Sequence, residues 1–225
     1  MPVTQSQPPP GPEARARRFT LLDAVALVAA AGAGVALIRA YWGPGLPAPV
    51  ARVAEPGPLW RGWTPWIIVQ RANGVGRVVT VGLVGVTPGL MALRLRGPRP
   101  PLRALMLRPG SAAIVIATLG LAWRAAGAVA REVLFQAAGV RKSWREAFSQ
   151  EPAGHMPGYL FQEGATIMIG SALLIYATIL LAIRPGRRGG DWVDRVGVGL
   201  GTLWVLLCLL DRLSNVSEYI VGYLP

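Results

Sequence analysis

Residues 164–183 form an apolar stretch without a single charged side chain. Because an α-helix rises about 1.5 Å per residue, about 20 such residues cross the roughly 30 Å hydrocarbon core of a bilayer. Arg184 and the Pro, Gly and Arg residues after it close the stretch abruptly. The segment therefore predicts a transmembrane helix, in which every backbone N–H and C=O group is satisfied within the helix itself.

Four other apolar stretches have similar length, and the predicted spans are about 19–42, 66–94, 111–130, 159–183 and 192–212. In the second span the uncharged part is only about 24 Å long, so this helix begins either near Trp66 or near Val78. Pro65 favours the earlier start, since proline is common at the first helical position. Pro109, Gly110 and Ser111 predict a turn before the third span, with Ser111 as its N-cap.

The predicted fold class is an all-α polytopic membrane protein with about five transmembrane helices. Apolar residues make up 52% of the 225 residues and charged residues only 15%, well below the quarter that is typical of soluble domains. Residues 1–18, rich in Pro and Gln and ending in arginines, predict a disordered basic tail. Residues 19–225 then form a single helical membrane domain, whose first helix is an uncleaved signal-anchor.

Arginine placement predicts the orientation of the helices. The basic segments 1–18, 94–110 and 184–195 fall on one side of the predicted topology, and segments 39–77 and 131–158 fall on the other. Short basic segments stay in the cytoplasm, so we expect the N-terminus inside and the C-terminus outside a bacterial inner membrane. The net charge of +12 then suits anionic lipid headgroups, and a nucleic-acid partner is not expected.

Metal, redox and cofactor chemistry are poorly supported. The chain has one cysteine, Cys208, and one histidine, His155, which rules out an intramolecular disulfide and any site built from several Cys or His ligands. Cys208 is expected to pack as a small apolar residue, and His155 to lie in a solvated loop. No catalytic motif is present, so we expect no cofactor and favour a protein that is not an enzyme.

Three charged residues within the predicted spans are candidates for function, because a charge at depth is costly unless it is paired or hydrated. Asp23 is a candidate intramembrane acid about one turn inside the first span. Arg124 and Glu163 fall at similar depths near the outer face, and we expect them to pair between the third and fourth helices. Two alternatives are that both side chains snorkel separately to headgroups, or that they line a proton or substrate path.

Small residues four apart predict close contacts between helices. They are Gly34 (with Ala30), Gly85, Gly89, Gly197 and Gly201. Packing within the chain is favoured over a dimer interface.

Two short segments resemble a known group of proteins. These are Arg-Arg-Phe-Thr-Leu-Leu-Asp-Ala at residues 17–24 and Arg-Leu-Arg-Gly-Pro-Arg-Pro-Pro-Leu-Arg at residues 94–103. Both are similar to segments of uncharacterised multi-span membrane proteins of planctomycete-type bacteria. The resemblance implies a polytopic topology and no particular activity.

Two functions remain. The first is a structural or accessory subunit that binds lipid and a membrane-protein partner through its helices. The second is a small transporter or intramembrane enzyme whose polar site contains Asp23, Arg124 and Glu163. The first is favoured, because a solute path needs more buried polar groups or broken helices than the sequence shows.

Overall fold

In the computed structural model the residues described are 19–43, 45, 47, 49–51, 65–96, 105–139, 164–183 and 191–223. The tail predicted at residues 1–18, the loop residue His155 and the candidate acid Glu163 lie outside them. Five long helices fill most of the described ranges. They are α1 (Leu21–Trp42), α2 (Pro65–Leu95), α3 (Pro109–Ala137), α4 (Gly164–Ile183) and α5 (Trp192–Tyr223).

All five helices are long and apolar enough to cross a membrane, so the predicted all-α fold with five spans is confirmed. Of the two starts considered for the second helix, the structure has the one near Trp66, since α2 begins at Pro65. The predicted N-cap Ser111 is wrong: α3 begins at Pro109 with Arg108 at the N-cap, and Ser111 lies in the first turn. Proline at the first helical position needs no N–H donor, which explains the earlier start.

Two helices continue beyond the apolar stretches that predict them. α3 ends at Ala137 rather than near 130, and α5 ends at Tyr223 rather than near 212. Hydropathy indicates where the lipid-facing part of a helix ends, whereas the helix itself ends where its backbone hydrogen bonding is interrupted. No proline interrupts residues 213–223. Both helices are therefore longer than a bilayer core requires.

α5 is the central helix of the bundle and packs on α2, α3 and α4. Its Trp204 is fully buried, together with Ile114 of α3 and Ile169 of α4. Large apolar side chains elsewhere stay exposed, among them Trp123, which is 74% exposed, and Leu181, which is 78% exposed. Side chains of this kind on the outside of an apolar bundle are suited to contact with lipid.

α1 lies at the edge of the bundle and packs mainly on α2. Within an apolar 18-residue window of each span, only 17% of the α1 residues are buried, against 44% of the α2 residues. The two backbones approach closely where small residues meet. A methyl group added to Gly34 would lie 2.7 Å from the carbonyl oxygen of Gly82, and Gly85 and Gly89 lie against Gly34 and Ala30. Close approach of this kind is a common way for transmembrane helices to associate.

Contacts between helix ends give the relative directions of the helices. Phe19, just before α1, meets Trp192, the first residue of α5, with ring centroids 4.9 Å apart and ring planes nearly perpendicular. Arg94, near the end of α2, bonds to Asp191, just before α5. The beginnings of α1 and α5 and the end of α2 therefore share one end of the bundle.

Candidate functional site: two buried polar clusters

Four buried polar residues of α2 recur every seventh position: Asn73, Thr80, Thr87 and Arg94. Seven residues are about two helical turns, so the four side chains share one face of the helix. At one end of this row Arg94 bonds to Asp191, just before α5, and at the other end Asn73 lines a small cavity together with Asp211 of α5. The bundle thus has two buried polar clusters, one at each end of the contact between α2 and α5.

The Asp191 cluster consists of Arg94, Ser111, Asp191 and Asp194. Oδ2 of Asp191 accepts a hydrogen bond from Nη1 of Arg94 at 2.7 Å, and the two side chains are only 9% and 5% exposed. Oδ1 of Asp191 accepts from the backbone N–H of Asp194 at 2.9 Å. One carboxylate therefore binds the end of α2 and also caps the first turn of its own helix.

Asp194 makes an analogous contact to a different helix. Its Oδ1 accepts from the backbone N–H of Ser111 at 2.8 Å and from the Ser111 hydroxyl at 3.1 Å. Ser111 lies in the first turn of α3, where N–H groups have no partner within the helix and the helix dipole is positive. A buried carboxylate of α5 thus stabilises the beginning of α3 in place of a local cap.

Glycines allow this contact. A methyl group on Gly110 would overlap the backbone carbonyl oxygen of Asp194, and one on Gly197 would overlap the carbonyl oxygen of Gly110. The backbones of α3 and α5 are therefore in direct contact at this crossing. Further along the same contact, a methyl group on Gly201 would lie 2.8 Å from Cβ of Ala113. This close approach places the short Asp194 side chain within reach of the α3 amides.

The fourth helix joins the same end of the bundle. The hydroxyl of Tyr176 in α4 donates a hydrogen bond to the carbonyl oxygen of Met106, just before α3. All five helices therefore have at least one residue in contact at or near this end.

The Asp211 cluster lies toward the other end of the α2–α5 contact and consists of Asn73, Arg77, Thr80, Thr166 and Asp211. These residues, with Gly76 and Leu207, line a small cavity between α2, α4 and α5. Its free space admits about one water molecule. Asp211 and Thr166 are buried, whereas Arg77 is exposed. The Thr80 hydroxyl donates to the carbonyl oxygen of Gly76 at 2.9 Å, so its oxygen can still accept a hydrogen bond.

The structure separates two of the three candidate residues taken from the sequence, Asp23 and Arg124. Asp23 is buried in the first turn of α1, where it and Thr20 form a capping box: Oδ2 of Asp23 accepts from the Thr20 N–H at 3.0 Å, and the Thr20 hydroxyl accepts from the Asp23 N–H at 3.3 Å. Arg124 lies at the opposite end, and a methyl group on Gly164 would lie 2.7 Å from its Nη1. Glu163 immediately precedes Gly164 but lies outside the described residues, so its pairing with Arg124 stays a prediction.

Asp194 and Asp211 were not among the candidate residues taken from the sequence, where each lies beside an arginine near an end of the fifth span. The signal that could have found both clusters is the seven-residue spacing of polar residues in the second span. That spacing is hidden by the arginines Arg71 and Arg77, which break the apolar run.

These features define a multi-span helical membrane protein. No family model matches the chain, and neither the curated proteins nor the solved structures contain a match. Within the described ranges, no group of three or more His, Cys, Asp or Glu side chains is placed to hold a metal ion.

Proposed function

We propose that this protein is a structural or accessory subunit of a bacterial inner membrane, with its N-terminus in the cytoplasm. The observation that supports this best is the use of its buried carboxylates. Asp23, Asp191 and Asp194 each accept a backbone N–H in the first turn, or at the cap, of α1, α5 and α3 respectively. These acids hold helix ends in place and leave their carboxylates engaged, which suits a rigid membrane component better than a proton carrier.

The basic residues at the end that contains the Asp191 cluster support the proposed orientation. Arg94, Arg96, Arg108 and Arg195 lie at this end and belong to the short basic segments 94–110 and 184–195 of the sequence, which together contain nine arginines. Under the positive-inside rule this end faces the cytoplasm. Fusing a reporter that is active only in the cytoplasm to each terminus tests the assignment: the N-terminal fusion should be active and the C-terminal fusion silent.

An accessory subunit should be recovered with a partner. We expect the protein, purified in a mild detergent after brief cross-linking in cells, to migrate with one other membrane protein in a fixed ratio. The ratio should be unchanged by Asp211→Asn, since the Asp211 cluster lies inside the bundle. Recovery as a monomer without a cross-linked partner would contradict the proposal.

The Asp211 cluster favours a second candidate function, a small transporter or ion path. A buried carboxylate beside a cavity of water size is a feature that such proteins use. Asp211, which lines this cavity, is the candidate for the acid, and Asp23 lies in the capping box of α1. Proton or cation flux through reconstituted vesicles, abolished by Asp211→Asn, would support this function over the first.

A further inference from the structure

Arg94 carries hydrogen-bond donors that its helix-joining role does not use. Nη1 bonds to Asp191, whereas Nε and Nη2, both buried, meet no acceptor among the described residues. Together Nε and Nη2 form one edge of the guanidinium, and that edge fits two oxygens of a carboxylate or phosphate side by side. Leaving such donors buried without an acceptor costs free energy, and an anion bound at this edge would remove that cost.

A second buried donor lies one residue after Asp191, the partner of Arg94. Trp192 follows Asp191 in the chain, and its indole Nε1, also buried, meets no acceptor in the described part of the structure. Its ring plane is nearly perpendicular to that of Phe19, and this contact limits the directions in which the N–H can point. Trp192 is also the first residue of α5, where the helix dipole adds partial positive charge.

The local charge balance favours an anion. At this end of the described bundle the four arginines Arg94, Arg96, Arg108 and Arg195 outnumber the three aspartates Asp23, Asp191 and Asp194. Arg94 and Trp192 also lie at one end of the spans Ile67–Leu95 and Trp192–Ser217. In a bilayer that level coincides with the lipid phosphates.

We propose that Arg94 and Trp192 bind a phosphate group. Nε and Nη2 of Arg94 donate hydrogen bonds to two of its oxygens, and Nε1 of Trp192 donates to a third. A phospholipid headgroup is the source that this position favours, because a lipid can enter sideways between helix ends. Inorganic phosphate has the same chemistry and is distinguished by the experiment. The site goes beyond the proposed accessory role and does not depend on it.

The test uses the full-length protein, freed of lipid in a mild detergent and titrated with short-chain phosphatidylglycerol. Bound lipid is counted by native mass spectrometry. The wild type should bind this lipid saturably, and diacylglycerol with the same tails should not bind. Arg94→Lys retains the charge but loses the planar fork, and should weaken binding about tenfold. Trp192→Phe retains the ring against Phe19, loses one donor, and should weaken binding about fivefold.

Arg96→Lys is the matched control, since Arg96 is exposed and two residues from Arg94; its affinity should stay within about twofold of the wild type. Trp192→Phe leaves the Arg94–Asp191 pair in place, so it tests the site even if Arg94→Lys fails to fold. Competition by inorganic phosphate would identify a free ion as an equal source, and lack of competition would identify the headgroup. Equal affinity of the wild type and Trp192→Phe, or equal binding of diacylglycerol, would overturn the proposal.

Discussion

The two polar clusters of this bundle differ in the hydrogen-bonding groups that surround their buried carboxylates. In the Asp191 cluster each aspartate accepts from at least one group that can only donate: Asp191 from a guanidinium and a backbone N–H, and Asp194 from the backbone N–H of Ser111, in addition to the Ser111 hydroxyl. In the Asp211 cluster the carboxylate shares a cavity with exposed Arg77 and with Asn73, Thr80 and Thr166, whose amide and hydroxyl groups can donate or accept. One cluster requires negative charge, and the other can adapt to its loss.

The difference follows from where each aspartate lies along α5. Asp191 and Asp194 are at the beginning of the helix and beside the beginning of α3, where free N–H groups and the helix dipole attract an anion. Asp211 is twenty residues further along, where the N–H groups of its own helix are engaged in intrahelical bonds. Burial alone therefore does not determine whether the surroundings of an aspartate in this protein require its negative charge.

The largest effect should come from breaking the pair between Arg94 and Asp191. Asp191→Asn leaves the buried guanidinium without its counter-ion and should lower the free energy of unfolding by about 3–5 kcal/mol. Unfolding by sodium dodecyl sulfate in mixed micelles, followed by circular dichroism, measures it. The double variant Arg94→Met with Asp191→Leu removes both charges and should recover most of the loss. If the double variant is as unstable as Asp191→Asn, the loss of stability does not come from leaving the Arg94 guanidinium without its counter-ion.

A smaller loss should follow from separating α3 and α5. Gly197→Ala places a methyl group on the backbone of Gly110, so the helices must move apart, at a cost of about 2–3 kcal/mol. Gly199→Ala is the matched control: it lies two residues away on α5, and a methyl group there meets nothing within 4 Å. The control should keep or slightly raise stability, because alanine favours the helix.

Gly197→Ala also tests whether the capping of α3 by Asp194 depends on the close approach of α3 and α5. Asp194→Asn should cost about 1–2 kcal/mol in the wild type, where the Ser111 N–H loses a charged acceptor. It should cost clearly less when Gly197→Ala has already moved the carboxylate away. Full additivity of the two losses would show that Asp194 does not depend on the glycine contact.

Most of the fold could be predicted from the sequence, because the bilayer imposes a length and an apolarity that each span must meet. Residues 164–183 show this plainly. Where charged residues interrupt a span, hydropathy loses the helix boundary. Arg71 and Arg77 obscured the start of α2, and Asp211 with Arg212 obscured the continuation of α5.

The clusters were harder to predict because they depend on which helices touch. Asp194 reaches Ser111 across 83 residues of sequence, and only the crossing at Gly110 and Gly197 brings them together. The sequence pointed to Gly197 as a packing residue but gave no indication of its partner helix. The sequence offers Asp23 as a candidate intramembrane acid, and its capping box with Thr20 is a local pattern that could have been recognised beforehand.

The smallest expected effect belongs to Asp211. Asp211→Asn keeps the shape of the side chain, and Asn73, the threonine hydroxyls and a water molecule can reorient to bond an amide as well as a carboxylate. Arg77 is exposed and can turn toward water. The loss in the same detergent unfolding assay should therefore stay below about 1 kcal/mol, several-fold less than for Asp191→Asn. Equal losses for the two substitutions would show that both clusters hold their carboxylates through fixed donors. The proposed difference between the Asp191 cluster and the Asp211 cluster would then be wrong.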